Sequence, residues 1–409
     1  MSRLQAGQQD ASGPVETGPR APRPAADRCP GALRLHEARD GFLARVRLPG
    51  GRIDRTGLRA LADAADQLGD GFVDLTVRAN VQLRGLAPDA GEALATRLAG
   101  AGLLPSFPHE RVRNIFASPL AGRDPAASID ARPLVDALDR AICADPGLTR
   151  LSGRFAFAVE DGSGAVMGLD RDVALAPDGD VIALHVGDLD TGLRAGPDAA
   201  AAMAAAAARA FLAELGEAAA WRVADLPRGA DRVTGRLRAS RAEGVAEVVA
   251  PSARSVAPPP APGPAGPLPQ PDGRVALAAV PPLGRMASAA LRLLADLRPE
   301  ARVSVWRTVV VPDIPAGAVR EAAAALHAFG LDASPESPWL GLSACAGAVG
   351  CAEALADVRA EAAARAGRRS AGAPPEHWAG CERRCGTPAG PVRLITAGPA
   401  GYLMSRGRP

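Results

Sequence analysis

Lysine is absent from this chain of 409 residues, so its 47 basic side chains are all arginine. They are balanced by 45 acidic side chains, which leaves a formal net charge of +2, and aromatic residues make up only 3% of the chain. A nucleic-acid-binding surface needs a basic excess with interleaved aromatics, so we expect no nucleic-acid partner. Any carboxylate that the protein binds is expected to meet planar, permanently charged guanidinium groups.

Long apolar runs are also absent. No uncharged apolar stretch approaches the roughly 20 residues that span a bilayer, so we expect no membrane partner. Residues 1–28 are polar, rich in proline and glycine, and without the apolar core of a signal peptide, so we predict a disordered tail there. The sequence thus favours a cytoplasmic protein. Its six cysteines are then expected to be ligands or bystanders and not disulfides.

Proline is concentrated in one internal stretch. Residues 254–272 have the sequence RSVAPPPAPGPAGPLPQPD, and this density of proline removes the backbone donors that helices and sheets need. We predict a semi-rigid linker at 241–272 that divides the chain into two parts. With 409 residues, 47% of them hydrophobic, the chain is long enough for two or three packed domains.

The two parts resemble each other. GFLARVRLP at 41–49 matches GRVALAAVP at 273–281 in length and in its first and last residues. Further on, one constant offset in residue number pairs Val77 with Val305, and it also pairs Val81 with Val309, Leu83 with Val311, Leu86 with Ile314, Leu98 with Leu326, Gly102 with Gly330 and Leu103 with Leu331. Each copy has the order strand, helix, strand pair, helix. We predict an α+β fold in which two ferredoxin-like half-domains form a shared cleft about a pseudo-twofold axis.

An α/β segment of the sirohaem-reductase type is expected after each copy, and the second is shortened. The first segment is predicted to have strands at 155–159 and near Val173 and Val181, and an alanine-rich helix at 198–216. The second is predicted to have a helix at about 351–366 and strands at 392–396 and 401–404. The predicted domains are the first half at 29–125, the first α/β segment at 126–240, the second half at 273–344 and the shortened segment at 345–409.

Four of the six cysteines lie close together in the last part of the chain. CAGAVGC begins at Cys345 and ends at Cys351, and CERRC begins at Cys381 and ends at Cys385, so they form two close pairs. A cubane cluster takes one protein sulfur at each iron, and two close pairs of thiolates suit it. The spacing therefore predicts a [4Fe-4S] cluster on these four residues.

Two other interpretations of the cysteines stay open. A four-cysteine zinc site is one, although such sites usually have tighter, CxxC-like knuckles. Four buried free thiols are the other. The remaining Cys29 and Cys143 are isolated in the sequence, and we interpret them as ordinary small residues.

The paired cysteine motif on a duplicated ferredoxin-like scaffold resembles the sirohaem-dependent sulfite and nitrite reductases and the related precorrin-3B synthases, over nearly the whole chain. TVRANVQLRG at 76–85 resembles their T-x-R-x-N-x-Q-x-R-G segment, and RNIFASPLAG at 113–122 resembles R-N-x-x-x-x-P-x-A-G. The resemblance implies that Arg78, Arg84 and Arg113 contact tetrapyrrole carboxylates. It also implies that Cys385 bridges the cluster and a haem iron wherever sirohaem is bound. Without the resemblance, each arginine would be interpreted as a solvated surface residue.

The chain departs from the reductases in two places. Where they have P-x-K-F-K, this chain has SGRFAFAV, which keeps a base at Arg154 but has Ala156 at the second basic position. Beyond Cys385 the sequence has only the short stretch 386–409, whereas the reductases continue with further strands, so we expect a more open cleft. Both differences favour a tetrapyrrole that enters and leaves as substrate over a tightly held sirohaem.

The resemblance to precorrin-3B synthases implies an oxidoreductase of aerobic cobalamin biosynthesis. Its reaction is the O₂-dependent hydroxylation of precorrin-3A at C20 with γ-lactone formation, with NADH as the electron source and an electron-donor protein as partner. Arg78, Arg84, Arg113 and Arg154 would bind the substrate carboxylates through bidentate contacts. The alternatives are a sirohaem-dependent nitrite or sulfite reductase and a non-enzymatic protein that only relays electrons.

The sequence does not identify the oxygen-activating site. The resemblance implies a non-haem iron, yet no 2-His-1-carboxylate spacing occurs among the five histidines, His36, His109, His185, His327 and His377. His377, shortly before Cys381, is interpreted either as a ligand or proton donor, or as a structural residue. Arg383 and Arg384 lie inside the last cysteine pair, where they either raise the potential of the cluster or face solvent.

Overall fold

The computed structural model describes residues 27–216, 220–240, 245–247 and 263–406. The predicted tail at 1–28 lies almost entirely outside these ranges, as does much of the predicted linker. The strands are β1 (His36–Ala38), β2 (Gly41–Val46), β3 (Arg52–Asp54), β4 (Phe72–Leu75), β5 (Val81–Leu86), β6 (Ile115–Ala117), β7 (Phe157–Val159), β8 (Val173–Asp178), β9 (Val181–Val186), β10 (Leu189–Ala195), β11 (Val245–Glu247), β12 (Gly266–Pro269), β13 (Val275–Ala279), β14 (Arg285–Ala287), β15 (Glu300–Val303), β16 (Val309–Ile314), β17 (Leu342–Ala344), β18 (Glu376–Ala379), β19 (Arg393–Gly398) and β20 (Gly401–Arg406). The helices are α1 (Arg55–Leu68), α2 (Ala90–Gly100), α3 (Arg132–Ala144), α4 (Pro197–Leu215), α5 (Gly229–Ser240), α6 (Ser288–Leu297), α7 (Val319–Ala328), α8 (Gly347–Gly350) and α9 (Val358–Ala366).

Each copy of the repeat forms a five-stranded sheet that includes one strand from the other copy. The strand orders are β1-β2-β5-β4-β14 and β12-β13-β16-β15-β3. In the first sheet Met286 of β14 lies opposite Val73 of β4, and in the second Ile53 of β3 lies opposite Ala301 of β15, both in antiparallel pairs. The exchange is reciprocal, as a pseudo-twofold axis requires. The predicted α+β fold with duplicated ferredoxin-like halves is confirmed.

One hydrophobic core joins the two copies. Helix α1 begins after Asp54, whose carboxylate accepts a hydrogen bond of 2.7 Å from a backbone N–H of the first turn. Leu58 and Leu61 share one face of this helix, and they are buried in the same cluster as Leu291 and Leu294 of α6. Each such leucine contributes roughly 1.5–3 kcal/mol when fully buried, so the two copies stabilise each other.

The turn between the paired strands has the same conformation in both copies. Thr76 Oγ1 accepts hydrogen bonds from the backbone N–H groups two and four residues later, at 3.3 and 3.2 Å. Ser304 Oγ accepts the equivalent two bonds, both at 3.2 Å. The fourth residue of each turn has a positive φ, 53° at Ala79 and 60° at Arg307, which residues other than glycine rarely adopt. The turns therefore share an uncommon geometry at the offset found in the sequence.

The first α/β segment is a six-stranded sheet of order β11-β10-β9-β8-β7-β6. Strands β6, β7 and β8 are parallel, and β9 and β10 run antiparallel to their neighbours. The predicted alanine-rich helix at 198–216 is α4, which buries Ala204, Ala208 and Phe211 in the core of this segment. The first α/β segment was predicted to begin at residue 126. Its sheet begins earlier, because β6 pairs with β7.

The second α/β segment is a smaller sheet of order β17-β18-β19-β20, and the strands predicted at 392–396 and 401–404 are β19 and β20. The helix predicted at 351–366 begins only at Val358, so this prediction is wrong for its first two turns. The Leu355 backbone N–H donates to the Gly380 carbonyl at 2.7 Å, which bends the preceding residues toward the other cysteine loop. Asp357 then caps the shorter helix.

The last part of the proline-rich stretch, predicted as a linker, belongs to a sheet. Its residues 266–269 form β12, which pairs antiparallel with β13 at the edge of the second five-stranded sheet. Proline fits there because an edge strand leaves some N–H positions unpaired. None of the helices within the described ranges is long and apolar enough to cross a bilayer.

Candidate functional site

Parallel strands bring the two cysteine loops together. Cys345 follows β17 directly, and Cys381 follows β18 after one glycine. Since β17 and β18 are parallel neighbours, their carboxyl ends meet at one edge of the sheet. Cys351 follows the short helix α8, and Cys385 lies one turn beyond Cys381, where the Arg384 N–H donates to the Cys381 carbonyl at 3.1 Å.

Electrostatics place all four thiols in one neighbourhood. The pKa of Cys385 is raised, first by burial and then by the charges of Cys345, Cys381 and Cys351. The loops also bond to each other, because the Gly380 N–H donates to Cys345 Sγ at 3.2 Å. A side chain at residue 380 would place its Cβ 2.5 Å from the Cβ of Ala354, so this close approach requires glycine.

Four thiols on two neighbouring loops are the donor set that a cubane cluster uses. A tetrahedral zinc site holds its sulfurs about 2.3 Å from one metal, and hence close together. Within the described ranges, no three His, Cys, Asp or Glu side chains are grouped for one metal ion. A cubane binds each cysteine to a different iron, so its four sulfurs stand further apart. Because no three potential ligands are grouped within the described ranges, no residue there is assigned to a non-haem iron.

His377 supports the last cysteine through its backbone. The ring is fully buried, with Nδ1 2.9 Å from Ser343 Oγ and Nε2 3.2 Å from the Cys385 carbonyl oxygen. A carbonyl only accepts, so Nε2 carries the proton and donates. Burial and then the charge of Arg307 lower the pKa of His377 to about 3, which keeps the ring neutral. These contacts favour the structural interpretation of His377.

Arg84 joins the first sheet to the cysteine loop. Its guanidinium forms a bidentate pair with Asp40, both bonds at 2.8 Å, and donates to the Gly350 carbonyl at 2.6 Å. Burial alone would lower its pKa, but the hydrogen bond to Asp40 and the nearby charge of Asp74 raise it. The group predicted to bind a substrate carboxylate is thus bound by a carboxylate of the protein itself.

Arg113 is likewise held by the protein. Its Nε and Nη2 each donate to Asp139 at 2.7 Å, and its Nη1 donates to the Leu103 carbonyl at 3.1 Å. The side chain is 4% exposed. The RNIFASPLAG motif therefore places this arginine against α3 and not in the cleft, because Asp139 lies two helical turns into α3 and reaches back to it.

Replacing Arg113 with alanine is expected to lower the free energy of unfolding by about 3–5 kcal/mol, because it leaves the Asp139 carboxylate without its buried partner. Arg52 is a matched control, since it pairs at 2.6 Å with Asp136 on the same helix but both side chains are more than a third exposed. Arg52→Ala should cost roughly 0–1 kcal/mol. Urea unfolding of the two variants measures the difference, and equal losses would contradict the buried role of Arg113.

Among the residues that the structure describes, Arg78 and Arg154 have no carboxylate partner of this kind. Arg78 donates only a long bond, 3.4 Å, to the Gly153 carbonyl. Burial, followed by the charges of Arg222 and Arg45, lowers the pKa of Arg78 to about 10. Arg154 is exposed, and its guanidinium carbon lies 4.6 Å from the centre of the Trp221 ring. Both guanidinium groups are therefore available to an anionic ligand.

Two further arginines of the cleft, Arg45 and Arg47, were not predicted from the sequence. Among the described residues, Nε of Arg45 and Nη1 of Arg47 are buried without a hydrogen-bond partner. Burial is the largest cause that lowers the pKa of both groups. The charges of Cys29 and Cys385 oppose this shift for Arg45, so Arg45 lies in the same neighbourhood as the last cysteine. Arg45 and Arg47 are two residues apart, in β2 and just after it, and they alternate with the buried Ala44 and Val46. This alternation could have identified them from the sequence.

A small buried apolar cluster includes residues close in sequence to Arg78 and Arg154. Ala156, at the position where the resemblance expects a second base, is fully buried. It packs in a small cluster with Ala79, Phe116 and Val305, and Trp306 packs against this cluster. Both copies of the repeat thus contribute to one buried apolar cluster, Ala79 from the first and Val305 from the second, and the half-buried Trp306 borders it.

Comparison with known proteins matches residues 35–101 to the nitrite/sulfite reductase ferredoxin-like half domain. Ferredoxin–nitrite reductase of Synechococcus elongatus is 39% identical over 127 residues, which is 30% of this chain and 25% of that protein. Precorrin-3B synthase of Sinorhizobium is 30% identical over 134 residues, 33% of this chain and 28% of that protein. The matched region thus spans about a quarter of each of these relatives.

Structural similarity extends further than sequence similarity. The structure of the Mycobacterium tuberculosis NirA protein superimposes with a TM-score of 0.72 and 20% identity, over 89% of this chain and 73% of that one. The chain is thus a duplicated ferredoxin-like α+β protein with two α/β segments. The similarity to nitrite/sulfite reductases that the sequence motifs predicted is found in the half domain at 35–101 and in the fold.

Proposed function

We propose that this chain is a precorrin-3B synthase that holds a [4Fe-4S] cluster on Cys345, Cys351, Cys381 and Cys385. The reaction is the hydroxylation of precorrin-3A at C20 with closure of a γ-lactone. One atom of O₂ enters the C20 hydroxyl group and the other leaves as water, which takes two electrons from NADH by way of an electron-donor protein. When bound, the cluster supplies single-electron transfer.

The observation that carries the proposal is the composition of the cleft next to Cys385. Arg45, Arg78 and Arg154 offer guanidinium groups that no carboxylate of the described chain occupies. A ligand with many acetate and propionate groups would neutralise them and be oriented by bidentate contacts. Arg84 and Arg113, predicted for the same task, would instead stabilise the walls of the cleft.

Ala156 favours a macrocyclic substrate over the reduction of a small anion. A site that reduces nitrite or sulfite benefits from cations that surround the small anion, and this chain lacks the second one. In its place Ala156 packs in the apolar cluster that Trp306 borders. The half-buried Trp306 ring at its border suits the face of a tetrapyrrole, whose periphery is charged and whose ring is apolar.

The second candidate is a sirohaem-dependent nitrite or sulfite reductase. It is favoured by the relatives, because besides the Synechococcus protein, ferredoxin–nitrite reductase of Leptolyngbya laminosa is 34% identical over 124 residues, 29% of this chain and 24% of that protein. Under this alternative sirohaem would be a resident cofactor, and Cys385 would be the residue through which the cluster and the haem are coupled. The donor would then resemble the ferredoxin for which these relatives are named.

The deciding experiment is anaerobic purification with iron, sulfide and extractable tetrapyrrole quantified together, followed by two assays. We expect about four sulfides per chain, no sirohaem, and conversion of precorrin-3A only when O₂ and reductant are present. Stoichiometric sirohaem with nitrite or sulfite reduction by a reduced viologen would establish the second candidate. Zinc without sulfide would contradict the cluster, and with it both candidates.

A further inference from the structure

Arg307 lies in the second-copy turn that mirrors the turn of Arg78. Its backbone is fixed in the left-handed region, with φ of 60°, by the two hydrogen bonds that Ser304 Oγ accepts. Its N–H also donates to the Ser304 carbonyl at 3.1 Å. A non-glycine residue held at positive φ is costly, and its side chain leaves the turn in a direction that an ordinary backbone would not give.

The Arg307 guanidinium reaches the loop that contains Cys381 and Cys385. Nη2 of Arg307 donates a hydrogen bond to the carbonyl of Gly386, the residue after Cys385. The stem passes over Gly284, where a Cβ would lie 2.6 Å from Cδ of Arg307. At Gly386 a Cβ would lie 2.8 Å from Nη2, so both ends of the side chain pack against glycine backbone.

The charge of Arg307 is buried and not paired. The residue is 8% exposed, and no carboxylate in the described part of the chain forms an ion pair with it. Burial lowers its pKa to about 10, with Asp74 opposing and Arg359 adding to the shift, so the group stays charged at neutral pH. Asp74 itself pairs with Arg359 at 2.9 Å.

The two arginines inside the cysteine pair are placed differently. The Arg383 side chain is 66% exposed and lies 3.3 Å from a Glu353 oxygen, and Arg384 is also exposed. Water and the neighbouring carboxylate screen such charges. Arg307, from the second copy of the repeat, is by contrast a buried cation that reaches the backbone next to Cys385, whereas the charge of Arg383, which also acts on Cys385, stands in water.

We propose that Arg307 is a positioning residue that fixes the Cys385–Gly386 backbone and raises the reduction potential of the cluster. The inference rests on the proposed cluster. One-electron reduction adds one negative charge to the cluster, and a nearby buried cation stabilises the reduced form more than the oxidised form. Removing the cation should therefore make reduction less favourable.

The test compares the full-length wild type with Arg307→Gln, Arg307→Lys and Arg383→Gln, all purified anaerobically. Sulfide content and an EPR-monitored redox titration are measured for each protein. Glutamine keeps a donor for the Gly386 carbonyl but removes the charge, and lysine keeps the charge. We expect full sulfide content in Arg307→Gln with the reduction equilibrium shifted at least tenfold toward the oxidised form, about 59 mV for one electron. Arg307→Lys and Arg383→Gln should remain within threefold of the wild type.

Each outcome decides the proposal. Full sulfide content with an unchanged potential in Arg307→Gln would overturn it, as would an equal shift in Arg383→Gln. If Arg307→Gln loses sulfide and Arg307→Lys retains it, the positioning role is supported. A wild-type potential in Arg307→Lys then supports the effect of the charge. A wild type without sulfide would overturn the cluster itself, and this failure differs from an unchanged potential.

Discussion

Replacing Cys381 with alanine is expected to abolish binding of the proposed iron–sulfur cluster. Cys381 follows β18 directly after Gly380, whose N–H donates to Cys345 Sγ, so its thiol lies where the two loops meet. Without it, one corner of the cubane has no protein ligand and the paired loop loses its anchor. Sulfide should fall from about four per chain to below one, with loss of the visible charge-transfer absorption.

Cys143 gives the matched control for this experiment. It is a half-buried thiol on α3, and burial is the largest cause that raises its pKa. Cys143→Ala removes one of the six thiols, so it should leave sulfide and the spectrum unchanged. Retention of a complete cluster in Cys381→Ala, or its loss in Cys143→Ala, would contradict the assignment of the four ligands.

Replacing Arg78 with methionine is expected to weaken the binding of a carboxylate-rich tetrapyrrole roughly 10- to 100-fold. A hydrogen bond to a charged group contributes about 1.5–3 kcal/mol, and about 1.4 kcal/mol is tenfold in affinity. Arg78 has no carboxylate partner in the described chain and its pKa is lowered to about 10, so its charge is costly in the empty protein. The same variant should therefore not lower the free energy of unfolding.

The measurement is a titration with a stable octacarboxylate porphyrin, combined with urea unfolding. Arg140→Met, on the exposed face of α3, changes the same side chain outside the cleft and should alter neither quantity. A large loss of stability in Arg78→Met with unchanged porphyrin affinity would show that Arg78 is structural. The paired readout separates binding from folding because the two interpretations predict opposite patterns.

The cysteine site could be proposed from the sequence because its two close pairs are local, and the structure brings the two loops together. The repeat was likewise predictable from the constant offset, and the structure confirms it in the two turns of unusual φ at Ala79 and Arg307. Local spacing cannot identify the partner of a side chain that is distant in sequence. Arg84 and Arg113 belong to matching motifs, yet Asp40 and Asp139 occupy them, and neither carboxylate is part of those motifs.

Arg307 shows that a proposed functional contact can also be missed when its partner is distant in sequence. Its contact with Gly386 joins residues that are 79 positions apart in the chain, and nothing in the turn sequence predicts it. The strand exchange was also unpredicted, because β3 and β14 have three residues each, too few to give a periodic pattern. By contrast, Arg45 and Arg47 alternate with Ala44 and Val46 along β2 and its end, and this pattern was open to interpretation from the sequence alone.

The reciprocal placement of β3 and β14 bears on how such a molecule could have arisen. A single copy of the repeat folded alone would lack the edge strand beside β4 and would present unpaired backbone groups to solvent. Two identical copies, each lending its short strand to the other, would complete both sheets about a twofold axis. The present architecture has the strand exchange of a domain-swapped dimer within one polypeptide. Its two copies differ at the equivalent turn position, where the first has Arg78 and the second has Trp306.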